Sequence, residues 1–417
     1  MEKTFKIVTL GCRTNQYESA AYAEQLQAIG FREAKEEESP ELCIVNTCTV
    51  THGADSASRH ELRALARKYP EAKLVATGCF ATRAPEEVAA LPGSPLVIRN
   101  KQKEQLVEEL FPEEDVPPFS LRSFSSQTRA FIKIQDGCNS FCTYCILPYV
   151  RGRSRSRRLE SIVEEAKALI AAGHKEIVLT GINIGDFDGA PEAHEPPKRL
   201  HELVAAIDEI EGLKRLRLSS IDPDEVDDAL IDVLVQGKNT CHSLHLVLQS
   251  GSNAILKRMN RKYTKECFLD TVSRLLNAHP DFTFTTDVIV GFPGESERDF
   301  QETLDVMERV HFNHVHMFPF SPRKRTRAEQ FTDPIPQSVI GERKQEVLRR
   351  AERQSYALRQ RYVGKKMRVL LEAHDGEQLS GHTDNFLTVF TNREGRRAGE
   401  FVDLEIVGNS PLGLQGR

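Results

Sequence analysis

The chain has 417 residues, too many for one ordinary domain, so two or three are expected. With 39% hydrophobic and 28% charged residues it reads as a globular protein, and no apolar run approaches the roughly 20 residues that span a bilayer. A net charge of −5 gives no general reason to expect nucleic acid, so any such contact must rest on local patches.

The N-terminus, Met1-Glu2-Lys3-Thr4-Phe5-Lys6, has no small-residue cleavage site and does not read as a signal peptide. A cytoplasmic location is expected, where thiols stay reduced. The nine cysteines are then metal ligands or core residues rather than disulfides. Residues 4–111 alternate expected strands, at Phe5–Leu10, Leu42–Asn46, Lys73–Thr77 and Leu96–Ile98, with helices at Gln16–Ile29, Ala54–Tyr69 and Lys101–Phe111. That order is a parallel α/β sheet, assigned to a first domain over residues 1–118. Cys12, Cys48 and Cys79 each follow or end one of these strands, 36 and 31 residues apart. Adjacent strand ends of a parallel sheet converge at its carboxyl edge, so the three thiols are expected to meet there. They read either as a second three-thiolate cluster site or as three buried cysteines. Cys43, inside a strand, reads as core, and Cys241 and Cys267 read as structural.

Pro112–Pro118 and the polar stretch Ser123–Thr128 read as a linker. A second domain, residues 124–358, repeats strand then helix. Its strands are expected at Phe131–Gln135, Glu176–Gly181, Arg215–Ser220, His245–Gln249, Thr283–Val290 and His314–Phe320. Helices such as Leu159–Ala172, Leu200–Glu209, Glu225–Val235 and Glu297–Val310 fall between them. Six strands suggest a partial (β/α)6 barrel, two short of closure, with its site at the C-terminal strand ends.

After the first of these strands comes the C-x3-C-x2-C run Cys138-Asn139-Ser140-Phe141-Cys142-Thr143-Tyr144-Cys145. Three thiolates can hold three irons of a four-iron cluster and leave the fourth open to S-adenosylmethionine (SAM). The alternatives are a zinc knuckle completed from elsewhere, or three core cysteines. Candidate SAM contacts are Tyr144 within the run, Thr180, Gly181 and Asn183 after the second strand, Gln249 and Ser250 after the fourth, and Ile289 in the fifth. The acidic residue that radical SAM enzymes usually carry after the second strand is Asn183 here, and the pattern around Ile289 and Gly291 is only partly met.

Residues 151–158 hold five arginines in eight positions, Arg151, Arg153, Arg155, Arg157 and Arg158, and Arg323-Lys324-Arg325 follows the sixth strand. Both runs flank the expected barrel mouth and suit phosphate contacts with RNA; the plainer reading is a solvated surface. A charged helix over Gly341–Tyr362 leads to a third domain, residues 362–417, with strands at Met367–Glu372, Phe386–Phe390 and Phe401–Ile406 and turns at Asp375-Gly376 and Glu394-Gly395. It reads as a small antiparallel β-barrel.

Over nearly its whole length the sequence resembles the radical SAM methylthiotransferases. The resemblance rests on Gly11–Gln16, Asn46-Thr47-Cys48, Gly78-Cys79, Asp136–Cys145, Pro148–Arg153 and Asp287–Glu295. The third domain, through Gly381-His382-Thr383-Asp384-Asn385, resembles the TRAM domain, a small barrel that commonly binds RNA. The resemblance implies two 4Fe–4S clusters. One, on Cys138, Cys142 and Cys145, would cleave SAM to a 5′-deoxyadenosyl radical; the other, on Cys12, Cys48 and Cys79, would carry the inserted sulfur. A second SAM would supply the methyl group. Electrons would come from a flavodoxin- or ferredoxin-like donor, and no residue is expected to act as an acid or base. Three substrate branches are known: isopentenyladenosine in tRNA, N6-threonylcarbamoyladenosine in tRNA, and an aspartate of a ribosomal protein. The arginine run most resembles the threonylcarbamoyladenosine branch.

Overall fold

The structure is a computed structural model, and it describes residues 3–123, 128–192, 195–372 and 378–417. The N-terminal unit is built on β1 (Thr4–Thr9), β2 (Arg32–Glu33), β3 (Leu42–Thr47), β4 (Lys73–Thr77) and β5 (Leu96–Val97). They form one parallel sheet in the order β2-β1-β3-β4-β5. β3 is central and buried throughout, as a strand covered on both faces must be. Phe5, Leu26, Ile44 and Val75 fill one side of the sheet, and Val45, Leu62, Leu65 and Phe80 the other.

The second unit begins with β6 (Arg129–Lys133), followed by a short antiparallel pair, β7 (Gln135–Asp136) and β8 (Arg155–Ser156). Next come β9 (Glu176–Thr180), β10 (Arg215–Leu218), β11 (Ser220–Ile221), β12 (Ser243–Leu246), β13 (Thr283–Val290) and β14 (His314–Pro319). β10-β9-β6 and β11-β12-β13-β14 are parallel sheets, and the strand expected over Arg215–Ser220 is interrupted between them at Ser219. Helices pack outside. The helix Glu297–Val310 buries Phe300, Leu304, Met307 and Val310 along one face, and Ser296 caps it by accepting from the Asp299 amide at 3.2 Å. The helix Arg13–Ala28 of the first unit packs on β6 and gives Tyr17 and Ala21 to the barrel core.

The long helix Gln337–Gln360 leads to β15 (Lys366–Glu372), β16 (Gln378–His382), β17 (Thr388–Asn392), β18 (Phe401–Asn409) and β19 (Leu414–Gly416). They close a barrel in the order β15-β16-β17-β19-β18. Four of its five pairings are antiparallel as expected; β17 and β19 run parallel. This small barrel seals the floor of the larger one. Arg215 donates to the His382 carbonyl at 2.7 Å, Arg217 to that of Asp384 at 3.0 Å, and Asn313 to that of Phe386 at 2.9 Å. The Gly381–Asn385 segment is therefore used for docking, with Thr383 and Asn385 buried.

Most of the expected linker Ser123–Thr128, and the turn Asp375-Gly376, lie outside the described residues. Among the described residues, no helix is long and apolar enough to cross a membrane.

Candidate active site

β1, β3 and β4 are neighbours in register, with Thr9 opposite Asn46 and Asn46 opposite Thr77, so the chain leaves the sheet three times at one edge. Cys12 immediately precedes the helix Arg13–Ala28, Cys48 follows β3, and Cys79 lies in the first turn of the helix Gly78–Arg83. Burial pushes the Cys48 thiol up to about 11 and raises that of Cys79; the Arg151 cation pulls against this in both. Arg151 donates through Nε to Cys79 Sγ at 3.3 Å and through Nη1 to Glu18 and Asp136, each at 3.0 Å. Lys103 also pairs with both carboxylates, and Lys133 reaches Glu18 at 3.5 Å. Burial opposes the charge on Glu18, but Arg151, Lys103 and Lys133 outweigh it and hold the carboxyl down at about 2. This buried network joins the first unit to the barrel.

The second cysteine trio lies on a loop held at both sides. Cys138 donates its amide to the Gly152 carbonyl at 3.1 Å, Thr143 its amide to that of Met259 at 2.9 Å, and Ala328 its amide to that of Thr143 at 2.8 Å. Gly137 has φ +73°, and a Cβ there would sit 2.0 Å from the Arg153 carbonyl oxygen, so this turn requires glycine. Arg261 donates to Cys142 Sγ at 3.0 Å while also pairing with Asp222. Burial pushes Cys145 up to about 12 and raises Cys142.

All six of these cysteines line one cavity of about 890 Å³ at the barrel mouth. Cys43, Cys241 and Cys267 do not. Thr180, Gly181, Asn183, Tyr144, Gln249 and Ile289 line the same cavity. Ser250 does not: its hydroxyl is buried against Thr303 and accepts the Ser252 amide at 3.2 Å, which corrects its expected contact with SAM. Phe386 of the terminal barrel forms part of the floor, beneath the guanidinium of Arg217 at 4.7 Å. Arg13 reaches in from the first unit, over the Phe131 ring at 5.8 Å. Burial, and then repulsion from Arg129 and Arg217, lowers it to about 10, so it remains a cation at neutral pH.

The two arginine runs divide. Arg151 and Arg323 were expected to contact RNA, but both are buried; Arg323 pairs with Asp55 at 2.5 Å, tying β14's exit to the first unit. A desolvated guanidinium needs a carboxylate, and each of these has one inside the protein. Arg157 is likewise engaged, with Glu165 at 2.6 Å, and Arg158 faces Glu192 at 3.1 Å. Arg153, Arg155 and Arg325 are exposed. Arg153 lies over Phe141 at 4.5 Å, Phe141 meets Tyr149 edge-on at 6.0 Å, and Arg325 lies over Tyr149 at 5.8 Å. The rim thus carries two adjoining aromatic rings flanked on either side by a cation, beside the cysteine loop.

A family model described as the radical SAM superfamily matches residues 132–307, and one described as the uncharacterized protein family UPF0004 matches residues 4–98. The threonylcarbamoyladenosine tRNA methylthiotransferase MtaB of Chlamydia pneumoniae is 46% identical over 386 residues, spanning 92% of this chain and 90% of that protein. The chain belongs to the radical SAM methylthiotransferases. The MtaB protein of Bacillus subtilis is 35% identical, over 96% of this chain and 92% of its own length. A tRNA-2-methylthio-N(6)-dimethylallyladenosine synthase of Finegoldia magna is 32% identical, over 99% and 94%. Among solved structures, the radical SAM methyltransferase TsrM of Kitasatospora setae aligns with a TM-score of 0.57 at 16% identity, over 76% of this chain and 73% of that one, a likeness of fold.

Enzymes of the radical SAM methylthiotransferase family use SAM and 4Fe–4S clusters, and the residues present fit them. Each trio offers three soft sulfur donors, and a buried arginine donates to one sulfur of each. Among the described residues, no group of His, Cys, Asp or Glu is gathered closely enough for one metal ion; a cluster, whose irons are separate, takes its thiolates further apart. A Cβ on Gly11 would meet Cys48 Sγ at 2.8 Å, so the glycine keeps space beside that thiol. Gln249 Oε1 lines the cavity wall buried and without a partner, as a ligand-facing acceptor would be. The amides of Ile182 and Asn183 are both held by Gln135 Oε1, at 3.0 and 2.9 Å, which fixes the turn that SAM would meet. Asn183 donates to Glu225 at 2.8 Å, so a carboxylate stands beside the position where radical SAM enzymes usually carry one. Arg261, Gln135, Glu225 and the Glu18–Lys103–Asp136 network were not found by reading the sequence. The one signal available was a charged residue, Lys103, among apolar positions of an expected helix.

Proposed function

We propose that this chain is a tRNA methylthiotransferase that places a methylthio group on C2 of N6-threonylcarbamoyladenosine next to the anticodon. The observation that carries the reading is that two separate cysteine trios, from two folding units, line one cavity. The relatives bearing the threonylcarbamoyladenosine name support the substrate. When bound, the cluster on Cys138, Cys142 and Cys145 supplies the electron for SAM cleavage, the cluster on Cys12, Cys48 and Cys79 supplies sulfur, and SAM also supplies the methyl group.

The chain's own residues do the positioning. Gln135 and Gln249 shape the SAM pocket, Arg151 and Arg261 hold one thiol of each trio, and the packed floor at Phe386 excludes water from below. At the rim, Arg153, Arg155 and Arg325 meet phosphates, and Phe141 and Tyr149 offer rings for stacking an unpaired base. A flavodoxin- or ferredoxin-like electron donor and a cytoplasmic setting, where thiols stay reduced, belong to the same proposal. The test is mass spectrometry of tRNA nucleosides from cells lacking the protein. The 2-methylthio form of threonylcarbamoyladenosine should vanish and return with the full chain. Loss of the isopentenyladenosine derivative instead, or no change in tRNA, would overturn the substrate.

A further inference from the structure

We infer that Arg13 recognises the carboxylate of the threonylcarbamoyl group, making the cavity selective for an adenosine with an anionic N6 substituent. This rests on the substrate proposed above and names the residue that reads it.

Three guanidinium groups, those of Arg13, Arg129 and Arg217, line the lower cavity. Two are committed. Arg217 pairs with Glu176 at 2.9 Å, and Arg129 with Glu372 at 3.0 Å. Glu176 is also shared with Arg215 at 3.8 Å, and the carboxylate of Asp287 faces His245 at 3.4 Å. Arg13 makes no close ion pair among the described residues; Glu176, already held by Arg217 and Arg215, attracts it only from a distance, and its guanidinium rests against the ring of Phe131. Beside it, Arg129 Nη1 is buried without an acceptor. A cation desolvated without an anion is costly, and a site retains one where the ligand brings the anion.

The position suits the purine. C2 and C6 both flank N1, so a group on N6 lies within a few ångströms of whatever is delivered to C2. Arg13 directly follows Cys12, one of the thiols from which sulfur would reach C2. A threonylcarbamoyl carboxylate would give the free guanidinium its partner. An isopentenyl group has no charge and would leave it unpaired, the kind of loss by which polar sites reject analogues.

The experiment measures binding by the anaerobically reconstituted full chain. Four anticodon stem-loop RNAs are compared: with threonylcarbamoyladenosine, its carboxamide analogue, isopentenyladenosine, or adenosine. Wild-type protein should prefer the carboxylate RNA over the carboxamide by about ten- to hundredfold, the range of a hydrogen bond to a charged group. Arg13→Gln should bring that ratio close to one, and Arg13→Lys should restore part of it. Iron content is read on the same samples. A ratio unchanged in Arg13→Gln would overturn the role of Arg13 while leaving the substrate standing. Equal weakening of all four RNAs would overturn it too, by making Arg13 a general support of the site. If wild type shows no preference for threonylcarbamoyladenosine over adenosine, the substrate reading itself fails.

Discussion

Arg151 has four buried partners: Cys79, Glu18, Asp136 and Asn15. Its neighbour in the run, Arg155, is half exposed and reaches Asp136 at 3.5 Å. Arg151→Met leaves Glu18 and Asp136 short of a cation and should destabilise the protein by about 3–5 kcal/mol. Arg155→Met should change stability by less than about 1 kcal/mol; urea unfolding of the two variants checks the contrast. Arg153→Ala and Arg325→Ala should each reduce the salt slope of tRNA binding by about one, if each meets a phosphate. The pH dependence follows from Glu18, whose carboxyl is held at about 2 in the fold, below an unfolded value of about 4.3. A lowered pKa gives stability that is complete above the unfolded value and lost as pH falls towards the folded one. The thermal midpoint should therefore drop between about pH 4 and pH 2. Glu18→Gln should start lower at neutral pH and fall less across that window.

The loop carrying Cys138, Cys142 and Cys145 depends on one glycine. Gly137→Ala would drive a Cβ into the Arg153 carbonyl and should cost the protein about half its iron while the strands of the first unit keep their far-UV signal. Elements of this kind differ in how well the sequence announces them. β3 and β4 are largely apolar runs between turn residues and β13 is rich in β-branched residues, and their expected bounds fall within a residue of those found. β2, β7, β8 and β19 have two or three residues each, too short to show a period, and β16 alternates around a glycine. The first cysteine trio was legible because each thiol follows or ends a strand that could be read, and the second because its C-x3-C-x2-C spacing is local to one loop. Arg151 and Arg323 were not legible as buried residues. Among their carboxylate partners, Glu18 and Asp55 lie 133 and 268 residues away and only Asp136 is near, 15 residues from Arg151, and a charge run looks the same whether it faces water or a distant acid.

At the scale of the whole molecule, three units meet at one space. The first contributes Cys12, Cys48, Cys79 and Arg13, the larger barrel contributes Cys138, Cys142 and Cys145, and the small barrel closes the floor with Phe386. The first two are locked together by the Glu18–Lys103–Asp136–Arg151 network and by Arg323 on Asp55. Reconstituted protein should hold about eight irons, four for each trio. Finding about four, or zinc in their place, would remove one of the sites. The most direct test of the account compares two triple variants, given SAM, a reductant and tRNA containing threonylcarbamoyladenosine. With Cys12, Cys48 and Cys79 changed to alanine, 5′-deoxyadenosine should still form while no methylthio nucleoside appears. With Cys138, Cys142 and Cys145 changed, neither product should form. If both variants cleaved SAM equally poorly, or if the first still made the methylthio nucleoside, the division of work between the two trios would be contradicted.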